Sequence, residues 1–113
     1  MTRLLKAIFT MVLVCMVAVT WRASLDRSVF TAFSEIARDP WGLATLADAY
    51  FGFLTFYCWV AYKETSWLAR GLWFVAIMLF GNMAMALYVL VQLFRLPEGA
   101  GVAFLLLRRP PSP

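Results

Sequence analysis

The sequence predicts an all-α integral membrane protein: a three-helix bundle with an interfacial amphipathic helix between the first and second spans. Three observations support this fold class. Hydrophobic residues make up 64% of the 113-residue chain, well above the roughly 45–50% of soluble domains. Three apolar stretches are long enough to cross a bilayer. These spans and their connections use nearly the whole chain, which predicts a single membrane domain over residues 1–113.

The first span is expected at residues 4–21. Arg3 and Lys6 precede an apolar run that ends at Trp21. A basic start and an apolar core are also the marks of a signal peptide, so this alternative stays open. An uncleaved span is favoured because Trp21 and Arg22 stand where a cleavage site needs small residues.

The stretch from 24 to 38 has a different pattern. Apolar residues recur at helical spacing with charged and polar residues between them, which is typical of an amphipathic helix. Because this stretch joins two spans, we expect the helix to lie in the membrane interface. A docking helix for a partner protein is the alternative.

The second span is expected at residues 40–62 and the third at residues 70–94. Asp39 followed by Pro40 is typical of a helix start, with Asp as the N-cap and Pro in the first helical position. A polar turn at 63–66 separates the two spans, and a flexible tail is expected at 98–113. The expected interfacial anchors are aromatic residues near the span ends: Trp21, Trp41, Trp59, Tyr62, Trp67 and Trp73.

Charge and composition exclude several function classes. The net charge of +4 comes from basic residues spread along the flanks of the spans, a distribution that suits lipid headgroups and not nucleic acid. The chain has no histidine, the usual ligand of haem and of many metals, so no cofactor, metal site or catalytic residue is predicted. Cys15 and Cys58 are expected at different depths, too far apart for a disulfide. The protein is therefore predicted not to be an enzyme.

The predicted spans contain a small set of polar and small residues. Thr45, Asp48 and Gly52 share one stripe of the second span, and Asn82 and Tyr88 lie on the third. Counting from the helix centres places Asp48 level with Tyr88, so the Tyr88 hydroxyl is the expected partner of the carboxylate. These five residues are predicted to form the intramembrane polar interface between the helices.

Two functions follow from this interface. If it fixes the helix register, the protein is a non-enzymatic, helix-packing accessory subunit of a larger membrane complex. Its partners would then be membrane lipids, and other integral membrane subunits or further copies of itself. An ionisable residue inside a span also suggests a small oligomeric proton-linked transporter that uses Asp48. The lack of a second acid in any span weighs against transport.

The segment 39–64, with Asp-Ala-Tyr-Phe-Gly-Phe at 48–53, and Gly-Asn-Met-Ala at 81–84 are distinctive. The chain resembles, over most of its length, a family of small bacterial membrane proteins classified as a domain of unknown function. The resemblance implies a three-span protein of the bacterial cytoplasmic membrane, and it transfers no activity to the chain.

A count of basic residues favours an external amino end, but the basic flank of the first helix favours an internal one. The internal amino end is preferred.

Overall fold

The computed structural model describes residues 1–96 and 101–107, which form six helices and no strand. The all-α prediction is confirmed. The helices are α1 Thr2–Asp26, α2 Val29–Arg38, α3 Pro40–Lys63, α4 Trp67–Phe80, α5 Asn82–Arg95 and α6 Val102–Leu106.

Two of the six helices, α1 and α3, are long and apolar enough to cross a membrane. Their 25 and 24 residues give lengths of about 36–38 Å at 1.5 Å per residue. Helix α1 is longer than the span expected at 4–21, because the helix continues to Asp26. Helix α3 agrees within one residue with the span expected at 40–62.

The amphipathic helix is shorter than the stretch 24–38 that was expected to form it. Helix α2 begins at Val29, since the Ser28 hydroxyl caps it by accepting a hydrogen bond from the Thr31 amide at 3.2 Å. Residues 24–26 belong instead to the last turn of α1. Arg27, between the two helices, forms ion pairs with Asp26 and Glu35.

The corner between α2 and α3 is tight. As predicted, Asp39 is the N-cap of α3, and its carboxylate accepts a hydrogen bond from the Gly42 amide at 2.8 Å. A Cβ atom on Gly42 would lie 2.2 Å from the carbonyl oxygen of Ile36. Gly42 is therefore required for the close approach of the end of α2 to the start of α3.

The prediction of a single helix at 70–94 is wrong, because the structure has two helices in its place. Helices α4 and α5 meet at Gly81, whose φ of 55° and ψ of −123° are not helical. Backbone with this geometry is accessible almost only to glycine. The apolar pattern continues across Gly81, so hydropathy alone did not locate the break.

Helices α4 and α5 fold back on each other as an antiparallel hairpin. The rings of Trp73 and Tyr88 are 4.8 Å apart, whereas 15 residues of continuous helix would separate them by about 22 Å. The tip lies beside the middle of α3, where Phe53 contacts Gly81 and the Tyr50 hydroxyl donates to the Met78 carbonyl at 3.3 Å.

The hairpin contributes to two buried clusters. One contains Val60 of α3 with Ile77, Ala84 and Tyr88 of the hairpin. The other joins four helices at one end of the molecule: Leu5 and Phe9 of α1, Trp59 of α3, Val89 and Leu93 of α5, and Leu105 of α6. The amino-terminal part of α1 therefore lies beside the carboxyl-terminal parts of α3 and α5.

The predicted flexible tail 98–113 lies outside the described residues except for 101–107. In that segment, Val102–Leu106 forms the short helix α6. Leu105 is buried against α1 and α5, so this part of the tail packs on the rest of the protein.

Candidate helix-packing site

Four of the five residues predicted to form the polar interface are exposed. Thr45, Asp48 and Gly52 lie on the outer side of α3, and Asn82 is exposed at the start of α5. Only Tyr88 is buried. The structure therefore does not bring these five residues together within one copy of the chain.

Asp48 belongs to an exposed polar face of α3. This face, which we call the Asp48 face, consists of Thr45, Asp48, Gly52 and Thr55, at the spacing of one helical stripe. The hydroxyls of Thr45 and Thr55 bond to the carbonyls one turn earlier, both at 2.9 Å. Among the described residues, no hydrogen bond or ion pair to the Asp48 carboxylate is found.

The expected pairing of Asp48 with Tyr88 is wrong. The Tyr88 hydroxyl instead donates to the Glu64 carboxylate at 2.9 Å. Depth counting failed because it assumed a continuous third span. In the hairpin, α5 returns toward the end of α3, so Tyr88 lies level with the α3–α4 turn. The turn-forming Gly81-Asn82 pair was the available sequence signal.

The ring of Tyr88 is enclosed by other aromatic residues. Phe56, Trp59 and Trp73 each contact it edge to face, at centroid distances of 6.1, 5.4 and 4.8 Å. Edge-to-face pairs each contribute roughly 0.5–1.5 kcal/mol beyond the area they bury. Because Tyr88 fills the space between the three rings, this cluster is a packing centre and leaves no cage for a cationic ligand.

Two side chains of α3 hold the segment 105–107. Lys63 is buried, and its ammonium donates to the carbonyls of Leu105 at 2.6 Å and Leu107 at 2.9 Å. The indole of Trp59 donates to the Leu106 carbonyl at 3.1 Å. The last carbonyls of a helix lack partners within it, so these donors satisfy the end of α6. The sequence pattern, which places Lys63 in a polar turn, does not indicate this structural role.

The α3–α4 turn is fixed by Arg70. Its Nε donates to the carbonyls of Ala61 at 3.0 Å and Glu64 at 2.9 Å. The Tyr57 hydroxyl donates to the Arg70 carbonyl at 3.0 Å. Together these bonds join the end of α3 to the first turn of α4.

The predicted aromatic anchors divide into two groups. Trp21, Trp41, Trp67 and Tyr62 are exposed. Trp59 and Trp73 instead turn inward and pack on Tyr88. Their position relative to a membrane stays a prediction for all six.

The described residues offer little for chemistry. No three side chains among Cys, Asp and Glu in 1–96 and 101–107 lie close enough together to hold a metal ion. An open, largely apolar cavity of about 320 Å³ lies between α1 and α2. Arg27 at its rim is engaged with Asp26 and Glu35, and the Asp26 hydrogen bond is the main cause that raises the pKa of its guanidinium.

The comparisons with known proteins give one match. A family model described as "Protein of unknown function (DUF1475)" matches residues 2–109, nearly the whole chain. No curated protein and no solved structure matches.

Proposed function

The chain belongs to the DUF1475 family of proteins of unknown function, and we propose from its geometry that it is a non-enzymatic integral membrane protein that packs against a partner span. Its role is that of an accessory subunit in a larger membrane complex. In agreement with the family resemblance of the 39–64 segment, we place it in the bacterial cytoplasmic membrane. The basic flank of α1 is the reason for placing its amino end inside.

The membrane location is supported by the distribution of apolar side chains. Nine buried apolar residues form the core of the described chain, whereas thirty large apolar side chains are exposed. Leu4, Met11 and Val14 of α1 and Phe51 of α3 are all more than half exposed. Contiguous apolar surface of this kind is typical of contact with lipid or with another protein. Two helices of suitable length and hydropathy agree with this location.

The proposed packing role rests on one observation, the exposure of Asp48. Asp48 lies eight residues into a helix long and apolar enough to cross a membrane, and it points away from the rest of the chain. A carboxyl group facing lipid is costly, and such groups are normally turned toward other protein. Gly52, one turn further along the same face, lets a second backbone approach closely. A span of another subunit is therefore the proposed occupant of the Asp48 face.

Co-purification tests the accessory role. The tagged chain is expressed at native level, extracted in a mild detergent and analysed by mass spectrometry of the co-purifying chains. We expect another span-bearing chain at fixed stoichiometry with the native protein and with Asp48→Asn, and its loss with Asp48→Leu. Recovery of the native protein alone contradicts the proposal.

A proton-linked transporter remains the second candidate. The break at Gly81, beside the middle of α3, favours it, because discontinuous helices surround the binding sites of many transporters. In liposomes, transport through Asp48 predicts proton-coupled uptake that Asp48→Asn abolishes. A packing role predicts that Asp48→Asn assembles normally and that neither protein moves protons.

A further inference from the structure

The fold gathers basic residues at one end. This basic end is formed by the start of α1, the α3–α4 turn and the end of α5. Among the described residues it carries one acidic side chain, Glu64, and five basic ones. Lys63 is buried, and the other four are Arg3, Lys6, Arg70 and Arg95.

The opposite end, around α2, is balanced in charge. Its three basic residues, Arg22, Arg27 and Arg38, are matched by Asp26, Glu35 and Asp39. Arg27 is paired directly with two of these acids. Only the basic end has an excess of positive charge among the described residues.

The hairpin increases this asymmetry by one basic residue. If 67–95 formed one crossing, Arg95 would lie at the same end as α2. Because α5 returns along α4, Arg95 lies instead near the amino terminus, where Lys6 stands 4.5 Å from the centre of the neighbouring Phe94 ring. The two arms have 14 residues each, about 21 Å, and are too short to cross a hydrocarbon core of about 30 Å singly.

We propose that the basic end binds the anionic lipid headgroups of the cytoplasmic leaflet, and that the α4–α5 hairpin enters the bilayer from that side and returns to it. The proposal rests on the membrane location given under the proposed function. The chain then crosses the bilayer twice, through α1 and α3. The amino end, the α3–α4 turn and the segment 101–107 share the cytoplasmic side, in agreement with the excess of basic residues found on that side of membrane proteins.

Three features of the structure support a re-entrant hairpin. Backbone that is not helical is tolerated at membrane depth when protein covers it. Gly81 is buried, and Phe53 lies against it. The Tyr50 hydroxyl also satisfies the Met78 carbonyl near the end of α4.

Cysteine labelling decides the topology. Single cysteines replace Thr65, Ser34 or Gly101, all exposed, in a Cys15→Ala, Cys58→Ala background, and a membrane-impermeant maleimide is applied to sealed spheroplasts and to inverted vesicles. T65C and S34C are the controls, since they mark opposite sides in both topologies. We expect G101C to be labelled from the same side as T65C, which is the cytoplasmic side. If G101C is labelled from the same side as S34C, residues 67–95 cross the membrane and the proposal is overturned.

The same experiment separates this proposal from the membrane location. If all three cysteines are labelled from the same side of sealed membranes, the chain does not cross the bilayer. That outcome overturns the proposed function as well. Labelling of G101C from the same side as S34C overturns only the re-entrant hairpin.

Lipid binding is tested on purified protein in a neutral detergent. Added phosphatidylglycerol should raise the melting temperature more than phosphatidylcholine does. The double variant R3Q/K6Q should lose at least half of this difference, because Arg3 and Lys6 lie at the basic end. The matched variant R22Q/R38Q, at the opposite end, should keep it. Equal losses in the two variants, or no difference between the lipids, contradict binding at the basic end.

Discussion

Tyr88 owes its position to contacts on both parts of its side chain. The ring is held by three aromatic residues, and the hydroxyl donates to Glu64. A buried tyrosine hydroxyl normally requires such a partner. Tyr88 thus joins α5 to the α3–α4 turn. Removing its hydroxyl alone measures what the hydrogen bond to Glu64 contributes to the free energy of unfolding.

Tyr88→Phe should lower the free energy of unfolding by about 1.5 kcal/mol, because the ring contacts stay while a hydrogen bond to a carboxylate is lost. Thermal or denaturant unfolding in detergent gives the value. Glu64→Ala is the matched control: in that background Tyr88→Phe should cost little, since the acceptor is already absent. If the losses in free energy of unfolding caused by Tyr88→Phe and Glu64→Ala are additive, the two residues are not coupled.

Lys63 is the second residue whose role is internal. A buried ammonium group is costly unless its donors are satisfied. Here two of them reach the carbonyls of Leu105 and Leu107. The positive charge therefore serves to hold the segment that ends α6.

Lys63→Met should release this segment. The methionine keeps much of the apolar stem but leaves both carbonyls without their donor, at a cost of about 2 kcal/mol. Hydrogen exchange of residues 103–107 should become faster while exchange in α3 stays unchanged. Lys6→Met, at the other lysine of the basic end, should leave exchange in 103–107 as it is. Unchanged protection in Lys63→Met would contradict the role of Lys63.

The helix ends encoded by neighbouring residues were predictable from the sequence, whereas the Gly81-Asn82 pair was the only local signal of the hairpin and did not by itself show that the chain reverses there. Asp39 and Pro40 mark the start of α3 through local hydrogen bonding and fixed backbone geometry. The break at Gly81 depends on Phe53 and Tyr50, which are distant in sequence. The partner of Tyr88 could not be found without that break. Apolar periodicity indicates which residues avoid water. It does not indicate where one helix ends and the chain turns back in a second one.

Gly81→Ala tests the hairpin turn. A Cβ atom at position 81 would lie 2.7 Å from the Phe53 ring and would meet a positive φ. We expect a loss of about 2–3 kcal/mol of stability, read as a lower melting temperature in detergent. Gly71→Ala is the control, because its Cβ would meet no atom within 4 Å. It should be neutral or slightly stabilising, and a loss as large as that of Gly81→Ala would contradict the assignment.

At the scale of the whole molecule, the chain is elongated, with extents of 51 × 28 × 22 Å. Its long dimension is somewhat greater than the full thickness of a bilayer of about 40–45 Å. The apolar sides of α1 and α3 face outward, and the polar contacts collect at the basic end. Asp48 is recognisable from the sequence as an isolated acid within an apolar helix. Which side of α3 it faces became clear only from the packing of Tyr50, Phe53 and Tyr57 against the hairpin.

Whether the Asp48 face binds a partner span can be measured as the mass of the native assembly after extraction into nanodiscs, for the native protein, Asp48→Asn and Asp48→Leu. Asparagine keeps hydrogen-bonding capacity across a helix interface, whereas leucine removes it. Thr10→Leu, an exposed polar-to-leucine change on α1, is the control. We predict one large assembly for the native protein, Asp48→Asn and Thr10→Leu, and a smaller one for Asp48→Leu. The same mass for all four proteins would contradict the claim that the Asp48 face binds a partner span.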